Sequence, residues 1–131
     1  MEPVLVWVGV AYDPVAKRIL VTYGDDNNSG YGTMVVGTVS SSSISFGTAT
    51  VYNSGTTTGH NLSTFDNNVN KLLIPLKDNG TNGNGKIFEA TINTSNNSVS
   101  TGGAYTFISF GSGSDGITSN PPPSVAHFPG T

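Results

Sequence analysis

The side chains best suited to chemistry in this 131-residue chain lie in two runs, Asp25-Asp26-Asn27-Asn28-Ser29-Gly30 and Asp78-Asn79-Gly80-Thr81-Asn82-Gly83. Oxygen donors at alternate positions of a loop can wrap a hard cation such as calcium, with glycine at the sixth position for the sharp turn. Asp25, Asn27 and Ser29 stand at positions one, three and five of such a loop and Gly30 at six, but Val36 takes the place of the bidentate glutamate. The second run puts Asp78, Asn82, Gly83 and Glu89 at positions one, five, six and twelve, while Gly80 empties position three and Glu89 falls in an expected strand. Each run breaks the pattern once. A plain hairpin connection is therefore the leading expectation, since Gly accepts positive φ and Asx side chains cap their own backbone. Calcium is the one cofactor the pattern admits.

No other constellation points to catalysis. His60 and His127 each stand alone among Gly, Ser or Pro, no Gly-x-Ser-x-Gly elbow occurs, and the few carboxylates sit mostly in turns rather than as a facing pair. The chain is expected not to be an enzyme. Two aromatic residues are candidates for ligand contact by stacking on sugar rings: Tyr31, in the Asn-Ser-Gly-Tyr-Gly loop, and Trp7. The apolar residues around Trp7 favour a place in the core, whereas Tyr31 suits packing and contact equally.

Composition narrows the partners. Only 10% of residues are charged and the net charge is −3, with Lys17, Arg18, Lys71, Lys77 and Lys86 as the whole basic complement, so no stripe exists to neutralise phosphates and nucleic acid is not expected. Low charge also argues against a highly soluble intracellular monomer, while the recurrent Val, Ile, Leu, Tyr and Phe clusters argue against disorder. There is no cysteine, which excludes disulfides and thiol chemistry. The first residues lack a basic segment and their apolar run is broken at Gly9 and Asp13, so neither a secretory signal nor membrane insertion is expected.

The elements that would carry these residues are strands. Short β-branched and aromatic runs bounded by turn residues recur about every ten residues, at residues 4–12, 18–23, 32–39 and 44–52, and the rhythm then begins again. Residues 12–40 align without a gap on residues 65–93, an offset of 53, with Asp13/Asp66, Leu20/Leu73, Asp25/Asp78, Gly30/Gly83, Gly32/Gly85 and Thr38/Thr91 identical. A two-residue insertion at Asn96-Asn97 then restores the match. A repeat of that length with four short strands suits a four-stranded antiparallel blade, as in a β-propeller, and stacked blades explain apolar runs such as Ile19-Leu20-Val21 that do not alternate. The expected fold is all-β and propeller-like, with a two-sheet β-sandwich or jelly roll as the alternative. The expected division is residues 1–58, residues 59–116 and a Pro-rich extended tail, 117–131, within one compact domain. Two blades cannot close a ring. Other copies or a longer array would have to complete it, with residues 125–128 as a candidate closing strand behind Pro121-Pro122-Pro123.

The motifs Tyr12-Asp13, Lys17-Arg18-Ile19-Leu20-Val21-Thr22-Tyr23, Asp25, Asn28-Ser29-Gly30-Tyr31-Gly32-Thr33, Val36-Gly37-Thr38-Val39, Ile44-Ser45-Phe46-Gly47 and Asn53-Ser54-Gly55 resemble a tandem repeat of structural and tail-fibre-like proteins in marine tailed phages, cyanobacterial ones especially. The second repeat departs from that pattern at Pro75, Lys77, Asn84 and Glu89-Ala90, and the last twenty or so residues match none of it. The resemblance implies a virion protein of a tail fibre or tail appendage involved in host attachment, assembled in the host cytoplasm and found outside after lysis. Its partners would be copies of itself, as a trimer or another homo-oligomer, other virion proteins, and host surface glycans. An oligomeric carbohydrate-binding propeller and a capsid decoration protein with a sandwich fold are the alternatives.

Overall fold

The computed structural model describes residues 5–58, 63–81 and 83–109. Their elements are nine strands and two short 3-10 turns: β1 (Leu5–Asp13), β2 (Arg18–Asp25), a turn at Asp26–Asn28, β3 (Tyr31–Val39), β4 (Ile44–Phe46), β5 (Thr50–Thr58), β6 (Thr64–Asp66), β7 (Lys71–Asp78), a turn at Asn79–Thr81, β8 (Asn84–Asn93) and β9 (Ser98–Ile108). All paired neighbours are antiparallel. The order is β1-β2-β3-β5-β7-β8-β9, with β4 also on β3 and β6 also on β7. β5 joins the two halves. Its first part closes the first sheet against β3, and Thr57 and Thr58 then pair with Asp78 and Lys77 as an edge of the second sheet.

Local chemistry explains why the chain turns where it does. The Asp13 carboxylate accepts hydrogen bonds from the Val15 and Ala16 amides, and Asp66 accepts one from Asn68, so each aspartate caps the turn that follows it. Lys17, Asn70 and Asn97 end three four-residue hairpin loops in the left-handed region, at φ 54°, 53° and 51°. The two 3-10 turns are each closed by a glycine amide, Gly30 to the Asp25 carbonyl and Gly83 to that of Asp78, with φ at 70° and 77°. The two halves also share their register: β2 pairs with β3 from Ile19 opposite Gly37 to Asp25 opposite Tyr31, and β7 with β8 from Leu72 opposite Ala90 to Asp78 opposite Asn84. These pairs are 53 residues apart throughout.

Packing sets two antiparallel sheets around one core, which is the sandwich arrangement; among the described residues no ring or barrel closes. The first sheet contributes Ala11, Leu20, Met34, Val36 and Tyr52, and the second contributes Phe65, Leu72, Ile74, Leu76, Phe88, Ala90, Ile92 and Val99. Each Leu or Ile fully buried here contributes about 1.5–3 kcal/mol. The Tyr52 and Phe88 rings meet edge to face at 5.4 Å, and the Arg18 Nε donates to the Asn97 side chain across the layers at 2.9 Å. The fourth strand of the first half, expected as one run through residues 44–52, is broken into β4 and β5. At Gly47, in the break, an added Cβ would come within 2.4 Å of the Asn97 carbonyl oxygen, so the second layer presses on the backbone there.

Trp7 departs from its expected place in the core. It lies in a register break of β1 between Val6 and Gly9, at φ 57°, and is 39% exposed. A bulge adds an unpaired residue to one strand and re-aims its side chain, which strand periodicity in the sequence does not register.

Candidate functional site

The second 3-10 turn builds the most enclosed polar cluster among the described residues. Asp78 ends β7 and is only 2% exposed. Its Oδ1 accepts the Gly80 amide at 2.9 Å, and its Oδ2 accepts the Lys86 ammonium at 2.6 Å and the Thr81 hydroxyl at 3.0 Å. β8 brings Lys86 there because it pairs opposite Leu76, two residues before Asp78 and on the same face of the sheet. β5 closes the other side, with the Asn53 side chain also bonding Asp78, and a shallow cleft of about 290 Å³ opens between Asn53, Gly55, Thr81 and Lys86. Burial works against the Asp78 charge, but the hydrogen bonds of Lys86, Thr81 and Asn53, with the Lys86 charge, outweigh it and hold the carboxyl below its ordinary value. Gly55 is required by this closeness, since a Cβ there would stand 2.3 Å from Asp78 Oδ1.

This geometry bears directly on the calcium pattern. Lys86 supplies the positive charge at Asp78 that a cation would have brought, and both carboxylate oxygens are engaged. Glu89 lies five residues beyond Asn84 along β8, roughly 17 Å at strand rise, and pairs with Lys71 at 2.6 Å. The structure thus places Asp78 and Glu89 in separate ion pairs. Asn82 lies outside the described residues, as do His60, His127, Pro121-Pro122-Pro123 and residues 125–128.

In the first turn, Asp25 Oδ1 accepts the Asn27 amide at 3.1 Å, which caps the 3-10 turn. Ser29 is left-handed at φ 57°, and its carbonyl accepts the Thr56 hydroxyl at 3.2 Å. Asp25, Asn27 and Ser29 are thus gathered by capping, and Val36 is buried in the core rather than at the turn. Among the described residues, no three His, Cys, Asp or Glu side chains form a metal-holding group. Tyr31 is half-buried at the start of β3, opposite Asp25 and Thr56. The register puts β2 between Tyr31 and Trp7, so they stand two strand spacings apart.

Lys86, Thr81, Asn53 and Gly55 escaped the sequence reading. One signal was available: Lys86 aligns with Thr33 at the 53-residue offset, so a cation enters where the first repeat has a hydroxyl.

A second candidate is a surface. Tyr12, Ile19, Gly37 and Phe46 stand opposite one another across four strands, so their side chains share the outward face of the first sheet. Ile19 and Phe46 lean together over Gly37, where a Cβ would meet both. Val10 stands on the same face with Val21 and Val35, and Val39 stands with Ile44. Tyr12 is 56% exposed and Phe46 58%, with Val10, Val39 and Ile44 comparably open. The same face is closed at its other end, where Tyr23 and its partner Thr33 are buried. Isolated exposed apolar residues are ordinary, but a contiguous group of them such as Val10, Tyr12, Val39, Ile44 and Phe46 marks an interaction surface.

The chain matches no family model, no curated protein and no solved structure.

Proposed function

We propose that this chain is a non-catalytic structural module of a phage virion, working in a tail fibre or tail appendage that attaches to the host surface. The observation that carries the assembly part of this reading is the apolar outward face of the first sheet, which water meets on several large side chains at once. Such a face is stabilised when another protein surface covers it. The best-enclosed polar cluster, around Asp78, ties a turn to a neighbouring strand through mutually satisfied groups, a structural use of charge. The virion part rests on the repeat motifs, whose Tyr12-Asp13 and Gly30-Tyr31-Gly32 positions lie at hairpin turns and strand starts.

Immunogold labelling of virions produced from the genome that encodes the chain tests this. Gold on the tail or its appendages is expected, with reduced adsorption of phage to host cells pre-incubated with the purified chain. Gold on the capsid would instead favour a decoration protein. A chain absent from virions would overturn the reading.

A further inference from the structure

We propose that the outward face of the first sheet docks the outward face of the second sheet of another copy of this chain, so that copies stack head to tail. The inference rests on the assembly reading above and deepens it by naming the partner.

The two layers of one chain already show this contact. The face of the second repeat that is buried carries Phe65, Leu72, Ile74, Phe88, Ala90 and Ile92. Fifty-three residues earlier stand Tyr12, Ile19, Val21, Val35, Gly37 and Val39, similar in type and in the same register, on the face that the first sheet turns outward. The first sheet covers the second with its other face, through Leu20, Met34 and Val36. Equivalent repeats therefore pack front to back, with opposite faces buried. Among the described residues, a front-to-back contact leaves one front and one back without a layer on it, and these are complementary by construction.

The unused back retains the matching chemistry. Leu73 and Ile87 stand where the first repeat has Leu20 and Met34, and Tyr105, opposite Ile87 and 61% exposed, widens the apolar surface. The Lys71–Glu89 pair lies on the same face as Leu73, which pairs opposite Glu89. Lys71 is the counterpart of Arg18, whose Nε reaches the 94–97 hairpin loop; in a stack Lys71 would meet the 40–43 turn of the next copy. Four strands about 4.8 Å apart and roughly 20 Å long give on the order of 400 Å² a side, about half the ~800 Å² per partner of a standard stable interface. A single contact is thus weak and gains strength from closure into a ring or extension into an array. Head-to-tail contacts allow both.

The test uses the full chain in sedimentation and light scattering across concentration, with Phe46→Glu blocking the front and Tyr105→Glu blocking the back. Both side chains are exposed, so unchanged melting temperatures are expected; Val39→Lys and Ile108→Lys, the latter exposed opposite Gly85 on the face of Ile87, provide a second pair should either fail to fold. The wild type should form larger species as concentration rises. Each variant alone should weaken association about tenfold or more, because the contact would bury an unpaired charge. An equimolar mixture of the two should form one-to-one dimers and nothing larger. A Tyr105→Glu variant that still dimerises while Phe46→Glu does not would show a front-to-front contact and overturn the proposal. A wild type that stays monomeric would overturn it too, and virion labelling in that case would keep the function reading separate.

Discussion

Replacing Lys86 with methionine removes the ammonium that pairs with Asp78 while keeping most of the side-chain volume. Asp78 would then hold its charge with three neutral donors, Gly80, Thr81 and Asn53, in a site 2% exposed. Breaking a buried pair by truncating one partner costs about 3–5 kcal/mol. Because the Lys86 side chain is itself 17% exposed and the neutral donors remain, the loss at neutral pH should be about 2–3 kcal/mol. That is a large share of the roughly 5–15 kcal/mol that stabilises an ordinary domain. The pH dependence gives a sharper signature. In the wild type the Asp78 carboxyl is held below its ordinary value, so its contribution is present above the unfolded-state pKa, about 4, and is lost as pH falls through the lower folded value. In Lys86→Met, burial without the cation should raise the folded pKa above the unfolded one, so acidification relieves the variant. The stability gap must then narrow as pH falls toward about 4. Urea unfolding followed by circular dichroism at neutral and acidic pH measures both. A cost below about 1 kcal/mol at neutral pH, or a gap that stays constant on acidification, would refute the account of this pair. Adding Asp78→Asn to Lys86→Met should recover most of the loss, since it removes the stranded charge.

Gly55→Ala should cost about 1–3 kcal/mol, because its Cβ would overlap Asp78 Oδ1; Gly103→Ala, with nothing within 4 Å of the added atom, is the control and should change stability by less than about 0.5 kcal/mol. The buried Tyr52 hydroxyl has no hydrogen-bond partner among the described residues, so Tyr52→Phe should leave the melting temperature unchanged or raise it, and a clear drop would reveal a bond of real strength. Millimolar calcium should not move the melting temperature, given that Lys86 already neutralises Asp78; a rise reversed by chelation would restore the metal reading of the loops.

The strand-and-turn plan was legible because it is written in local chemistry. Runs rich in β-branched residues mark β2, β3 and β8, the Leu72-Leu73-Ile74 run marks β7, aspartates and glycines mark the turns between them, and the 53-residue offset between Asp25 and Asp78 reappears as the offset between two 3-10 turns. The insertion at Asn96-Asn97 has a simple outcome: the β8–β9 hairpin gains one residue on each arm, Asn93 opposite Ser98, relative to that of β3 and β4. The candidate site was only half legible. Asp78 drew notice as a turn residue, but its partners come from β8 and β5, and the sequence gives no measure of which strand will lie against a turn. Trp7 was misplaced for a related reason, since a bulge changes where a side chain points without changing its apolar neighbours.

What the sequence alone determined is that both repeats would form antiparallel strands with apolar residues on both faces. It could not decide which face would be covered. Ile19, Val21 and Tyr12 stand on the outward face of the first sheet, while their counterparts Leu72, Ile74 and Phe65 are buried under the other layer. Local pattern is nearly the same at both places, so burial was decided by the order in which the layers stack. Only the tertiary structure holds that order, because a contact between two sheets joins residues that no local preference relates.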